Sequence, residues 1–121
     1  MLQRYEIVLV PFPFTDGPSA KPRPALVVAL GERHGDVLLA FISSRLVGPA
    51  AADELDIAQD HPAFAQTGLK VSSRLRLTRM ASLAIPLVRR RIGVLPESLR
   101  SAYQDRLRRI LLAEPRNTSG D

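Results

Sequence analysis

The chain has 121 residues, which suits a single domain, because one hydrophobic core usually serves a chain of up to roughly 150 to 200 residues. Lys and Arg outnumber Asp and Glu by 17 to 12, for a formal net charge of +5, a balance that favours a polyanionic partner, although solubility alone would also account for it. The absence of cysteine excludes a disulfide framework and a thiolate zinc site, and no apolar run approaches the ~18 residues that span a bilayer. Met1 to Glu6 lacks the apolar stretch of a signal peptide, so the expected compartment is the cytoplasm, with no membrane partner.

Ile7-Val8-Leu9-Val10 reads as the first strand. It ends at Pro11-Phe12-Pro13-Phe14, where two residues without amide donors force an edge or a bend. Asp16-Gly17-Pro18-Ser19-Ala20-Lys21-Pro22 has the composition of a loop able to close over a ligand. Strands follow at Pro24 to Leu30 and Asp36 to Ile42, with Gly31 to Gly35 as the hairpin between them. Residues 46–66 read as loop-rich, with a short strand at Leu55-Asp56-Ile57. Further strands are expected at Ser73 to Leu77, Met80 to Leu83 and Arg89 to Val94.

The last element changes period. Leu99, Tyr103, Leu107, Ile110 and Leu111 recur at three- and four-residue steps, while Arg100, Gln104, Asp105 and Arg108 fill the other side, which predicts an amphipathic helix. Pro96 suits its first turn, Glu97 favours the positive end of its dipole, and Pro115 stops it. The expected organisation is one barrel domain over residues 1–112, its helix at about 96–112, and a flexible tail over 113–121. The fold class is mainly β with a C-terminal helix.

Ile7 to Asp16, followed by Lys21-Pro22-Arg23-Pro24-Ala25-Leu26-Val27-Val28, resembles the opening of MazF/PemK-type toxins of type II toxin-antitoxin systems. Val37 to Ser44, Gly68-Leu69-Lys70, Arg76 to Leu83 and Arg91 to Glu97 match the later segments of that family in order. The resemblance covers roughly residues 6 to 112, and the joint order carries more than any one motif. It implies an SH3-like barrel of short antiparallel strands, of the kind shared by MazF, PemK and CcdB. It also implies a homodimer, sequence-specific and metal-independent cleavage of single-stranded mRNA, and a cognate antitoxin whose disordered acidic tail covers the RNA groove. No cofactor is expected.

Cleavage by attack of the 2′-hydroxyl on the neighbouring phosphorus needs a proton acceptor, a donor to the leaving 5′ oxygen, and cations over the charged phosphorane. Arg23, just before Pro24, sits where the resembling toxins keep an essential arginine, and its planar fork can hold two phosphate oxygens. A guanidinium is a poor base, so its expected role is charge stabilisation. Ser43 falls where the family commonly carries a threonine on the scissile phosphate. These two are the expected catalytic residues, and Phe14, Asp16, Lys21, Ser44, Arg76 and Thr78 are the expected RNA contacts.

Arg76 matches an arginine that the PemK branch uses on RNA, whereas Thr78 stands where those relatives often have an aspartate proposed as the base. The acceptor therefore stays open between Asp16, the substrate itself and solvent. Phe14 is the expected stacking partner for a base. Arg74, Arg76, Arg79, Arg89, Arg90 and Arg91 suggest a phosphate track, with Arg74 and Arg76 on one strand face.

His34 lies in the hairpin turn and His61 precedes Pro62, contexts that argue against a two-histidine ribonuclease. No set of His and carboxylate residues has metal-ligand spacing. Two other readings remain: a catalytically weak RNA- or antitoxin-binding module, and a DNA- or protein-binding SH3-like barrel.

Overall fold

The computed structural model describes residues 1–11 and 21–115. Its strands are β1 (Glu6–Val10), β2 (Arg23–Leu30), β3 (Asp36–Ser43), β4 (Glu54–Ile57), β5 (Ser73–Ala84) and β6 (Arg90–Val94), and one helix, α1 (Glu97–Leu112), ends the chain. Every strand pairing is antiparallel, and the six form one curled sheet in the order β4-β5-β3-β2-β1-β6. This is the mainly β, barrel-like fold with a C-terminal helix that the sequence led us to expect. Phe14 and Asp16 lie outside the described residues, as does the last part of the expected tail. Among the described residues, no helix is long and apolar enough to cross a membrane.

The middle strands are apolar on both faces because both faces are covered. In β1, Ile7 joins a cluster with Leu26, Ile42, Leu75 and Leu95, while its neighbour Val8 points the other way into a cluster with Val10, Ala25, Val27 and Leu39. Side chains alternate across a strand, so one β-branched run feeds two cores. Truncating a fully buried Ile7 to Ala would cost roughly 2–5 kcal/mol.

The first cluster is closed by α1, whose Leu99, Leu107 and Ile110 pack on it beside the buried Tyr103. Two details of the expected helix change. Pro96 occupies the cap position in an extended conformation, φ −57° and ψ 144°, instead of the first turn. Leu111 lies off the packed face: it is 57% exposed and outside the core cluster that Leu99, Leu107 and Ile110 join.

Tyr5 connects this helix to β1 from a left-handed backbone, φ 73°. A non-glycine residue there costs about 1–2 kcal/mol. The conformation is held from both sides, because the Tyr5 N–H donates to the Val27 carbonyl at 3.1 Å and the Leu95 N–H donates to the Tyr5 carbonyl at 2.7 Å. The ring meets Tyr103 edge-on at 5.8 Å and carries the Arg100 guanidinium 4.4 Å above its centroid.

The expected strands Ser73 to Leu77 and Met80 to Leu83 form the single strand β5. The sequence signal broke where the register breaks: Ala40 pairs with Met80 but Phe41 pairs with Arg76, so Leu77, Thr78 and Arg79 have no partner in β3. Such a bulge bends the strand and re-aims its side chains. The short strand read at Leu55 to Ile57 is present as β4, paired with the first part of β5.

Candidate functional site

The curl of the sheet leaves a groove of about 1280 Å³ along the ends of β2 and β3 and the first half of β5. Arg23 opens β2, exposed, opposite Val10 of β1. Ser43 closes β3 opposite Arg74 of β5. Because β2 and β3 run antiparallel, the start of one and the end of the other fall at the same edge, and both residues line this groove. Lys21, Ser44 and Arg76 line it too.

Ser43 Oγ accepts a hydrogen bond from the Arg45 N–H at 3.1 Å. That occupies a lone pair and leaves the O–H able to turn toward a phosphate oxygen. Thr78 is not among the lining residues. It sits exposed in the bulge, where its hydroxyl donates to Asp53 Oδ2 at 2.9 Å and the neighbouring Leu77 N–H donates to the Asp53 carbonyl at 3.0 Å.

The arginines divide into two kinds. Arg74 lines the groove but is only 4% exposed, and its donors are taken: Nε and Nη2 grip Asp56 at 2.6 and 3.1 Å, Nη1 reaches the Val47 carbonyl at 2.9 Å, and Nη2 reaches the Gly48 carbonyl at 2.8 Å. The hydrogen bond to Asp56 pushes its pKa further above the ordinary arginine value, against the cost of burial. Expected as part of a phosphate track, Arg74 instead fastens β4 and the segment after β3 to β5. Arg91 is likewise turned aside, with Nε 2.5 Å from Glu6 Oε2.

Arg23, Arg45, Arg76, Arg79 and Arg90 remain in the groove wall. The Arg79 guanidinium lies 4.8 Å over the Phe41 ring, and both line the groove, so it carries a flat cation-aromatic pair; Phe14, the expected stacking residue, lies outside the described residues.

The far wall is residues 68–71. It is held by the close approach of two glycines. Gly68 has φ +72°, and an added Cβ would lie 2.1 Å from the Ile92 carbonyl oxygen, while a Cβ on Gly93 would lie 2.3 Å from the Gln66 carbonyl oxygen. The short 3-10 turn Phe64–Thr67 thus rests on β6 through bare backbone.

Two charged groove residues, Arg45 and Glu54, escaped the sequence reading. Glu54 of β4 lines the groove and stands opposite Arg76 in the register. The available signal is the charge pattern: Glu54-Leu55-Asp56-Ile57 faces Arg76-Leu75-Arg74-Ser73 in the antiparallel register, a cross-strand ladder of opposite charges. Neither histidine lines the groove. His61 Nδ1 accepts from the Ala63 N–H at 3.0 Å and Nε2 lies 3.2 Å from Ser98 Oγ, so it ties the turn before the 3-10 segment to the start of α1. Among the described residues no three His, Asp or Glu side chains converge as metal ligands.

The fold is thus a small antiparallel barrel-like sheet, closed by one helix and opened along one edge into an arginine-lined cleft of positive charge. The family model for the PemK-like, MazF-like toxin of type II toxin-antitoxin systems matches residues 3–111. The chain belongs to that toxin family. In fold it is similar to the Mycobacterium tuberculosis toxin MazF-mt6, at 20% identity and a TM-score of 0.64 over 85% of this chain and 92% of that one. It is also similar to an endoribonuclease in complex with its cognate antitoxin from a mycobacterial species, at 11% identity and a TM-score of 0.69 over 95% and 100% of the two chains. A further mycobacterial endoribonuclease matches at 12% identity and a TM-score of 0.65 over 94% and 95%. No curated protein matches the chain.

Proposed function

We propose that this toxin is an endoribonuclease that cuts single-stranded mRNA at restricted sequences without a metal ion, in the cytoplasm, as a homodimer silenced by an antitoxin with an acidic disordered tail. The observation that carries the reading is the meeting of Arg23 and Ser43 in one cationic groove. Family membership and the endoribonucleases of similar fold add to it.

In the proposed reaction the RNA 2′-hydroxyl attacks the adjacent phosphorus, the P–O5′ bond breaks, and the products carry a 2′,3′-cyclic phosphate and a 5′-hydroxyl. Arg23 offsets the charge gathering on the phosphorane oxygens and the Ser43 O–H donates to one of them. Lys21, Ser44 and Arg76 hold flanking phosphates, and Phe14, Asp16 and Thr78 contact the RNA from the loop and the bulge. The Phe41–Arg79 pair offers a flat surface on which an unpaired base can stack.

Incubating the protein in EDTA with a long unstructured RNA tests this. Cuts at a restricted sequence, leaving cyclic phosphate ends and lost in Arg23→Ala, are the expected result. Tight binding without cuts would favour a weak toxin-like binding module, and neither binding nor cuts would favour a barrel that serves DNA or protein.

A further inference from the structure

Among the described residues that line the groove, Glu54 is the carboxylate, and its setting is unusual for a site that receives phosphate. Its side chain is 16% exposed, and Oε1 accepts the Ala51 N–H at 2.8 Å, which fixes the carboxylate in place. Oε1 lies 3.8 Å from Arg74 Nη1 and Oε2 lies 3.7 Å from Arg76 Nε.

These two contacts are not equivalent. Arg74 already holds Asp56 at 2.6 Å, so its charge is offset at contact distance by another group. Arg76 is 38% exposed, and its pairing with Glu54 is longer than a hydrogen bond. The attraction is therefore coulombic: it biases where the guanidinium sits while leaving N–H donors for a ligand.

We propose that Glu54 is a positioning residue, a built-in counterion that aims Arg76 into the groove and competes with the incoming phosphate for it. The proposal rests on the reading of the groove as an RNA site. Without Glu54, Arg76 would bind phosphate more tightly but in many orientations, whereas with it the groove gives up affinity for a fixed geometry at the reacting bond. A general base is a different role. Glu54 Oε1 is taken by the Ala51 N–H and its Oε2 faces Arg76, so the geometry supports positioning.

The test pairs binding with turnover in Glu54→Gln, which keeps the shape and an acceptor for the Ala51 N–H. A short 2′-O-methyl RNA, which cannot be cut, should bind about two- to fivefold tighter, because a partly exposed ion pair is removed from competition. The slope of log affinity against log salt should steepen by about 0.7, one more phosphate neutralised on a single strand. On cleavable RNA, kcat should fall by about tenfold or more through lost orientation while KM falls with the tighter binding. In an Arg76→Ala background Glu54→Gln should change none of these four quantities.

Unchanged affinity in Glu54→Gln, or the same tightening with Arg76 removed, overturns the proposal. So does loss of the acid limb of the pH–rate profile, which would make Glu54 a proton acceptor. Should Glu54→Gln fail to fold, Glu54→Asp keeps the charge and withdraws it by one methylene; intermediate tightening supports the proposal, and wild-type affinity and kcat together overturn it. A wild-type protein that binds the oligonucleotide but cuts no RNA would remove the nuclease reading alone, and the binding cycle would still decide the role of Glu54. Absence of oligonucleotide binding by both wild type and Glu54→Gln would overturn both.

Discussion

Gly68→Ala strikes the groove wall and the frame together. Its backbone is left-handed, φ +72°, which costs a β-carbon residue about 1–2 kcal/mol. The new methyl would lie 2.1 Å from the Ile92 carbonyl oxygen and 2.7 Å from the Ile92 carbonyl carbon, both backbone atoms that can yield only by moving β6. Overpacking of that kind adds about 1–3 kcal/mol.

The sum, roughly 2–5 kcal/mol, is a large fraction of the ~5–15 kcal/mol that holds a domain of this size. A melting point lower by on the order of 10 °C is expected, read by circular dichroism and checked against the urea midpoint at constant m. Gly93→Ala presses the same gap from the other side, with an added Cβ 2.3 Å from the Gln66 oxygen. Once either substitution has parted the 3-10 turn from β6, the other meets less resistance, so the double variant should cost less than the two together. A melting point for Gly68→Ala within about 3 °C of wild type would refute the reasoning, and strict additivity would show that the two glycines do not share one contact.

Burial pushes the Tyr103 phenol up to about 12, above the value near 10 of an unfolded chain. The folded state keeps its proton where the unfolded chain has released it, so the stabilisation is intact below pH ~10 and is lost as pH rises from about 10 toward 12, by at most ~2–3 kcal/mol. Urea midpoints in that window should fall more steeply for wild type than for Tyr103→Phe. Ser43→Ala should lower RNA cleavage about tenfold or more with little change in folding, while Ser43→Thr, which keeps the hydroxyl and restricts its rotamer, should stay active in the same gel assay. Asp56→Asn takes the charge from the grip on Arg74 and should lower the melting point, while the same change at the exposed Asp105, paired only along the helix surface, should leave it nearly unmoved.

The strand and helix pattern was legible because most of it rests on side-chain period. Ile7, Val8 and Val10 announce a strand whichever core they enter, and Leu99, Tyr103 and Leu107 announce a helix. Arg23, Ser43, Lys21, Ser44 and Arg76 were legible as groove residues through the family resemblance, which supplied the spatial meeting that spacing alone does not give. Glu54 was missed because β4 is only four residues long, too short for alternation to stand out from the surrounding polar stretch. Arg74 was misjudged for a related reason. Its charge is visible in the sequence, but the two loop carbonyls that consume its donors, those of Val47 and Gly48, are 27 and 26 residues away. The join of two expected strands into β5 was hidden by residues 77–79, which leave the β3 register while the Leu77 N–H turns to the Asp53 carbonyl.

β4 is an outer strand with few backbone bonds, and its place beside β5 is written largely in electric charge. Sliding it by two residues would set Asp56 against Arg76 and Glu54 against Thr78, stranding the Arg74 guanidinium among carbonyls with no anion. The alignment of this outer strand and the chemistry of the cleft therefore share the same four side chains, so drift at any of them in a descendant sequence would retune the cleft and loosen the rim in a single step.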